Sequence, residues 1–215
     1  MVTTAIIGIG NLGGSLARHL VDGGESVVLA AKDGAKAEAL ADELGPSAHA
    51  DSVEDAIAGA DTVVLALWLD TGRELLAKNA TLLDGKVVVD PSNPIGFDDK
   101  RQMFRTLPDG QSAASIVAGL LPAGAHYVKG FGSLAATDLA SEGSREPRVV
   151  LFYATDDAGA GTTVQRLIRA AGFEPLQVGG VAEAWRIEGP SGDLQGAVLD
   201  LDQAHTALAT KEAPA

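Results

Sequence analysis

The chain has 215 residues, 46% of them hydrophobic and 4% aromatic, enough to bury one substantial core or one core with a small appended lobe. Its 16 basic side chains against 29 acidic ones leave a net charge of −13, which repels nucleic acid and anionic membranes and favours a small-molecule partner. With no cysteine present, disulfides, thiolate metal sites and cysteine nucleophiles are excluded.

The 26 glycines alternate with Val/Ile/Leu-rich runs, so they read as turns between buried elements and not as a low-complexity tract. Residues 4–8 form a short apolar run; beyond a glycine turn, Leu12, Leu16, Ala17, Leu20 and Val21 recur at helical spacing until Gly23 and Gly24 end the segment. Residues 26–31 predict a second buried strand. Ala37, Leu40, Ala41 and Leu44 then place an apolar face on a helix closed by Gly45-Pro46. A third short strand at 48–50 leads to Ser52, a candidate N-cap for a short helix carrying Val53 and Ile57. The nearly continuous apolar runs at 62–67 and 87–89 suit strands covered on both faces, hence a parallel sheet with helices on each side. The longest apolar run, residues 63–69, is far short of the ~20 residues of a membrane span. The first five residues lack the basic and long apolar regions of a signal peptide, so a cytoplasmic protein is expected.

Beyond Asp90-Pro91-Ser92-Asn93-Pro94 the pattern loosens. Residues 97–109 read as a polar stretch, 112–121 as a helix ended by Pro122, and 126–131, 149–154 and 175–178 as further strands. Val164, Leu167, Ile168 and Ala171 mark a helix between the last two strands. Residues 181–208 contain helical stretches interrupted around Gly189-Pro190-Ser191-Gly192, and 211–215 read as a frayed tail. The class is α/β: a Rossmann-type doubly wound, mostly parallel sheet in residues 1–120, with a small C-terminal α/β lobe in 121–215 packed against it.

Gly8-Ile9-Gly10-Asn11-Leu12-Gly13 fits G-x-G-x-x-G between a predicted strand and a predicted helix. The first glycine permits the tight turn, the second lets the backbone approach a pyrophosphate, and the third lets helix and strand pack closely. The N–H groups at the helix start face the phosphates. The second strand ends Leu29-Ala30-Ala31-Lys32, where an NAD site would carry an acid for the ribose 2′-hydroxyl. A cation there, with Lys36 in reserve, favours the 2′-phosphate of NADP(H). Asp33 would take the acid's part, and favour NAD, if the strand ran one residue further.

The run 6–44, the segment Asp61-Thr62-Val63-Val64-Leu65-Ala66-Leu67-Trp68 and Asp90-Pro91-Ser92-Asn93-Pro94 together resemble the NADPH-dependent reductases of 8-hydroxy-5-deazaflavin (coenzyme F-420). His126-Tyr127-Val128-Lys129-Gly130-Phe131 and Ala184-Trp185-Arg186-Ile187-Glu188 extend the resemblance over most of the chain. The resemblance implies an oxidoreductase that stacks nicotinamide and deazaflavin in a cleft between a Rossmann domain and a small lobe, and a homodimer. By position, Gly8, Asn11, Leu12 and Gly13 would meet the pyrophosphate, Lys32 the 2′-phosphate, and Leu67, Trp68 and Asn93 the nicotinamide end. The family has Ser-Arg where this chain has Ala31-Lys32, a proline before the position of Trp68, and a polar residue in place of Gly132.

Hydride transfer requires the two ring carbons face to face near ~3–3.5 Å, and few side chains beyond those that position them. His126 and Lys129 are the candidate catalytic residues, as sources of the accompanying proton. Each has a plainer reading: His126 as a strand-start residue satisfied by the backbone, Lys129 as a buried cation held by a partner. Arg145, Arg148 and Arg186 could form a cationic rim for the anionic tail of a deazaflavin. No metal is expected, the four histidines being widely separated in sequence. The rival readings are an NADPH-dependent reductase of a small imine or carbonyl compound, and a non-catalytic NADPH-binding sensor.

Overall fold

The computed structural model describes residues 3–210; the tail expected at 211–215 lies outside them. In chain order, β1 (Thr4–Ile7), α1 (Asn11–Asp22), β2 (Val27–Ala30), α2 (Gly34–Leu44) and β3 (Ala48–Ala50) precede α3 (Val53–Gly59), β4 (Thr62–Leu65), α4 (Leu69–Asn79) and β5 (Val87–Asp90). A hairpin of β6 (Ile95–Phe97) and β7 (Met103–Arg105) follows. Next come α5 (Ala113–Leu120), β8 (His126–Lys129), α6 (Ala136–Ser141), β9 (Val150–Ala154), α7 (Ala158–Ala170), β10 (Glu174–Gly179) and α8 (Leu201–Ala209). Eight strands form one sheet in the order β10-β9-β8-β5-β4-β1-β2-β3. From β8 to β3 neighbouring strands are parallel, the order of a Rossmann sheet; β9 meets β8 antiparallel, and β10 is parallel to β9.

The period-2 alternation of strand side chains explains why the central strands are apolar throughout. Ile6, Leu29, Val64 and Val89 point into one core with Leu16, Leu20 and Leu40 of α1 and α2 and Val164, Leu167 and Ile168 of α7. Their neighbours Ala5, Ile7, Val63, Leu65 and Val88 point the other way, against Ile57, Leu69, Leu76, Leu83 and Val117. Both faces are thus sealed, and each fully buried aliphatic side chain contributes roughly 1.5–3 kcal/mol. The local signals act as anticipated: the Ser52 hydroxyl accepts the Asp55 N–H at 3.1 Å to cap α3, and Gly45 ends α2 at φ +78°.

The C-terminal lobe has no separate sheet. β8 is zipped to β5 from Val87↔His126 to Asp90↔Lys129, and both cores draw on residues before and after 120. The β6–β7 hairpin begins before the polar stretch at 97–109 and runs into it, hidden in the sequence because its tip, Asp98 to Gln102, interrupts the apolar residues. The short α6 starts on Ala135, which has no capping side chain, and so carried no start signal. Residues Val181–Ile187 form a 3-10 helix, within the span 181–208 that reads as helical in stretches. Among the described residues no helix is long and apolar enough to cross a membrane.

Candidate active site

The carboxyl ends of β1, β2, β4, β5 and β8 face the same edge of the sheet, where open α/β folds bind ligands. At the end of β1, Gly8 adopts φ +95°, and its N–H donates to the Ala30 carbonyl of β2 at 2.8 Å. A Cβ on Gly8 would lie 2.5 Å from the Ala66 carbonyl oxygen and 2.7 Å from Leu67 Cδ2. A Cβ on Gly13 would lie 1.9 Å from the Gly8 carbonyl oxygen. Gly10 differs: nothing lies within 4 Å of where its Cβ would stand. It N-caps α1 without a side chain, and no acid occupies the first turn, so the N–H groups of Asn11, Leu12 and Gly13 open onto space suited to an anion.

A cleft of about 830 Å³ extends from this turn across β2 and the turn after β3 to α4, with Gly8, Lys32, Asp51, Leu67, Thr71 and Leu75 among its walls. Lys32 lies in that wall and Asp33 does not; Asp33 instead heads α2 and pairs with Lys36 at 3.5 Å. The cleft is not uniformly cationic, since Glu38, Glu54 and Glu74 share it with Lys32 and Lys78. Lys36 lines a second hollow of about 490 Å³ that begins at Gly10 and Asn11 and runs between α1 and α2 past Arg18 and Glu43. The two lysines therefore stand on either side of the β2–α2 turn.

On the β4 and β5 side, Trp68 occupies the N-cap of α4 and is 59% exposed. Its ring meets Phe97 of the hairpin edge-on, centroids 6.3 Å apart, and Phe97 pairs across the hairpin with the equally exposed Met103. Asn93, in the turn after β5, donates from Nδ2 to the Gly132 carbonyl at 2.9 Å, and its Oδ1 accepts the Gly189 N–H at 2.8 Å. One N–H and one lone pair of the amide stay available. Gly132 has a steric reason: a Cβ there would lie 2.3 Å from the Pro91 carbonyl oxygen, so a larger residue would push the Asn93 turn outward.

The two residues read as proton sources sit elsewhere. His126 pairs with Val87, the first residue of β5, and so stands at the opposite, amino edge of the sheet. There its Nδ1 is 2.6 Å from Asp157 Oδ2. Asp157 also caps α7 by accepting the Ala160 N–H at 2.9 Å; that bond first, and then His126, hold its carboxyl below the usual carboxylate range. Lys129 is at the carboxyl edge but only 1% exposed, and it bonds to Asp90 and the Ser92 carbonyl. The His126 side chain is not brought to the cleft, and Lys129 is sealed from solvent. Arg186, read as part of a cationic rim, is 3% exposed: it is bidentate to Asp193 and donates to the Leu208 carbonyl at the end of α8. Arg145 and Arg148 pair with the neighbouring Glu142 and Glu146. Among the described residues no group of three or more metal-ligating side chains occurs. Glu188, named above only within the segment that carries the resemblance, accepts the Ala113 and Ala114 N–H groups at the start of α5 from 75 and 74 residues away.

Residues 3–94, which hold the glycine turn, the cleft and Asn93, match the family described as coenzyme F420-dependent NADP oxidoreductases. A hypothetical protein of Sinorhizobium meliloti has a crystal structure that superposes with a TM-score of 0.80 at 30% identity, over 93% of this chain and 96% of that one. A candidate F420-dependent NADP reductase of an Arthrobacter species superposes with a TM-score of 0.73 at 25% identity, over 84% of this chain and 86% of its own. The rat metalloreductase STEAP3 is 32% identical over 183 residues; the match takes in 85% of this chain, which spans 35% of the length of that protein.

Proposed function

We propose that the chain, whose residues 3–94 match the family of coenzyme F420-dependent NADP oxidoreductases, transfers hydride between NADP(H) and a deazaflavin of the F-420 type. The observation that carries the nucleotide half is the turn at the head of α1. Gly8 and Gly13 are closed by neighbouring backbone, whereas Gly10 alone faces open space beside the uncapped helix start. That space suits a pyrophosphate, whose negative charge and acceptor oxygens match the uncapped N–H groups at the helix start. Asn11 and Leu12 complete the first turn of the cradle. The adenosine half would lie in the cleft against Thr71 and Leu75. Lys32 and Lys36 would take the 2′-phosphate from either side of the β2–α2 turn.

The nicotinamide end falls on the β4 and β5 side, where the unused N–H and lone pair of Asn93 match a carboxamide. When bound, the dinucleotide supplies the hydride; the protein's part is to hold the nicotinamide on Asn93 and Leu67 and to offer the exposed Trp68 as a flat wall for the acceptor ring. The acids and bases that line the cleft, Glu38, Asp51, Glu54, Glu74, Lys32 and Lys78, belong to walls that include neither Asn93 nor Trp68. This suits an acceptor whose ring nitrogen takes its proton from water better than an imine or carbonyl that needs a positioned donor. The test is anaerobic mixing of the protein with NADPH and oxidised deazaflavin, with NADH in parallel. NADPH-selective loss of the deazaflavin's visible absorbance is expected; NADPH binding without that loss would overturn the acceptor.

A further inference from the structure

Hydride transfer leaves Lys129 without a chemical task, and its 1% exposure denies it contact with any substrate. Its surroundings are nonetheless the most polar in the interior. The ammonium bonds to Asp90 Oδ2 at 3.1 Å and to the Ser92 carbonyl, and stands 3.6 Å from Glu188 Oε1, so each of its three N–H groups has one acceptor to face. Asp90 Oδ1 accepts the Ser92 N–H at 2.8 Å, closing the turn that leads to Asn93, while its Oδ2 also accepts the Tyr127 hydroxyl at 2.8 Å. Glu188 accepts the Ala113 and Ala114 N–H groups at 2.9 and 2.7 Å. Burial, with Asp90 and Glu188 beside it, raises the Tyr127 hydroxyl well above its ordinary pKa, so it stays a proton donor.

One cation and two carboxylates, all 1% exposed, make a poor way of gaining stability; apolar side chains of the same volume commonly do as well or better. What such a cluster supplies is direction. Apolar packing tolerates sliding, whereas a connected set of hydrogen bonds and ion pairs fixes its members to one another. Here the members are the end of β8, the turn between β5 and Asn93, the start of α5 and the segment that follows Ile187. The residue after Asp90 and Ser92 in this set is Asn93, and the residue after Glu188 is Gly189, which Asn93 holds.

We propose that Lys129 is a positioning residue: by joining Asp90, the Ser92 carbonyl and Glu188 it fixes the Asn93 turn against residues 188–189, so that the amide of Asn93 is presented to the nicotinamide at one height above the sheet. This rests on the nucleotide reading above. Lys129→Met alone leaves two buried carboxylates without their cation and can fail to fold. The informative variant is Lys129→Met with Asp90→Asn, which keeps the cluster's formal charge at that of the parent, leaves Glu188 on the Ala113 and Ala114 N–H groups and an acceptor for the Ser92 N–H, and cuts the tie.

The probes are 2′,5′-ADP, which reports the adenosine half alone, and NADPH, whose nicotinamide fluorescence lifetime reports how firmly that ring is held. The double variant is expected to bind 2′,5′-ADP within about twofold of the parent, to lose about tenfold of the preference for NADPH over 2′,5′-ADP, and to return the bound lifetime toward that of free NADPH. A parent-like preference and lifetime would show that Lys129 serves the fold alone and overturn the proposal. If the unaltered protein itself does not prefer NADPH to 2′,5′-ADP, the nucleotide reading falls and the positioning role falls with it. The two failures are told apart by the protein in which they appear.

Discussion

The two sides of the carboxyl edge are built by opposite means. At the ends of β1 and β2 the site works by omission: missing Cβ atoms at Gly8, Gly10 and Gly13 and a missing cap at the head of α1, all within six consecutive residues. At the ends of β5 and β8 it works by long-range connection, with Asn93 reaching Gly132 and Gly189 and with Lys129 reaching Asp90 and Glu188, partners 39 to 96 residues apart. The first side can be specified by a short local run. The second exists only after the sheet has closed, and it is the side on which the reactive ring and its acceptor would meet.

Within the local side, the glycines themselves divide into packing and binding roles, and this gives the largest expected effect. Gly13→Ala puts a methyl group 1.9 Å from a backbone oxygen that no rotamer can move, so α1 must shift off β1. A loss of about 3 kcal/mol or more is expected, seen as a fall in Tm of roughly 6–12 °C. Gly10→Val meets no neighbour and asks for a φ near −66° that any residue adopts, so the stability loss should stay near 1 kcal/mol, that of a poorer N-cap. NADPH binding should nevertheless fall by about 100-fold, close to 2.7 kcal/mol, as titration calorimetry would measure. Equal losses of stability in the two variants would erase the distinction.

Lys32→Ala comes next. It removes a cation from the cleft wall and touches no buried contact, so NADPH should weaken by about tenfold while NADH is unchanged. Lys36→Ala should follow the same pattern with a smaller loss, since its ammonium is 75% exposed and shared with Asp33. An equal loss for both nucleotides would place Lys32 on the adenosine and not on the 2′-phosphate.

What could be read before folding follows the same division. The strands from β1 to β5, the glycine turn and the Ser52 cap declare themselves because each depends on neighbours a few residues away. The hairpin that carries Phe97 was hidden behind its polar tip, and its importance comes from Trp68, 29 positions earlier, which the chain brings beside it. Lys129 was legible as a lysine in an apolar strand that needed a partner. Which partners it has, Asp90 across the sheet and Glu188 from the far end of the chain, is a product of register. Gly132 looked like a lost polar residue, and only the nearness of the Pro91 carbonyl gives it a purpose.

The smallest effect expected is at the amino edge, where His126 tests whether the comparison concerns one edge alone. If that histidine supplied a proton to the acceptor, His126→Gln would slow turnover. The sheet separates it from Gly8, Leu67 and Asn93 by the length of a strand, so turnover and NADPH affinity should remain at parent values in steady-state assays. Its consequence lies in acid stability through Asp157, whose pKa the Ala160 bond and His126 depress. A depressed carboxylate stabilises the fold above its unfolded pKa, near 3.8, and that contribution is lost as pH falls through the lower folded value. Removing His126 leaves the backbone bonds from Ala160 and Gly159 in place. The Tm of His126→Gln should therefore sit slightly below the parent's near neutral pH and converge with it as the pH drops below about 4, because protonated Asp157 no longer distinguishes the two proteins. A variant that instead lost turnover at full stability would bring His126 back into the chemistry.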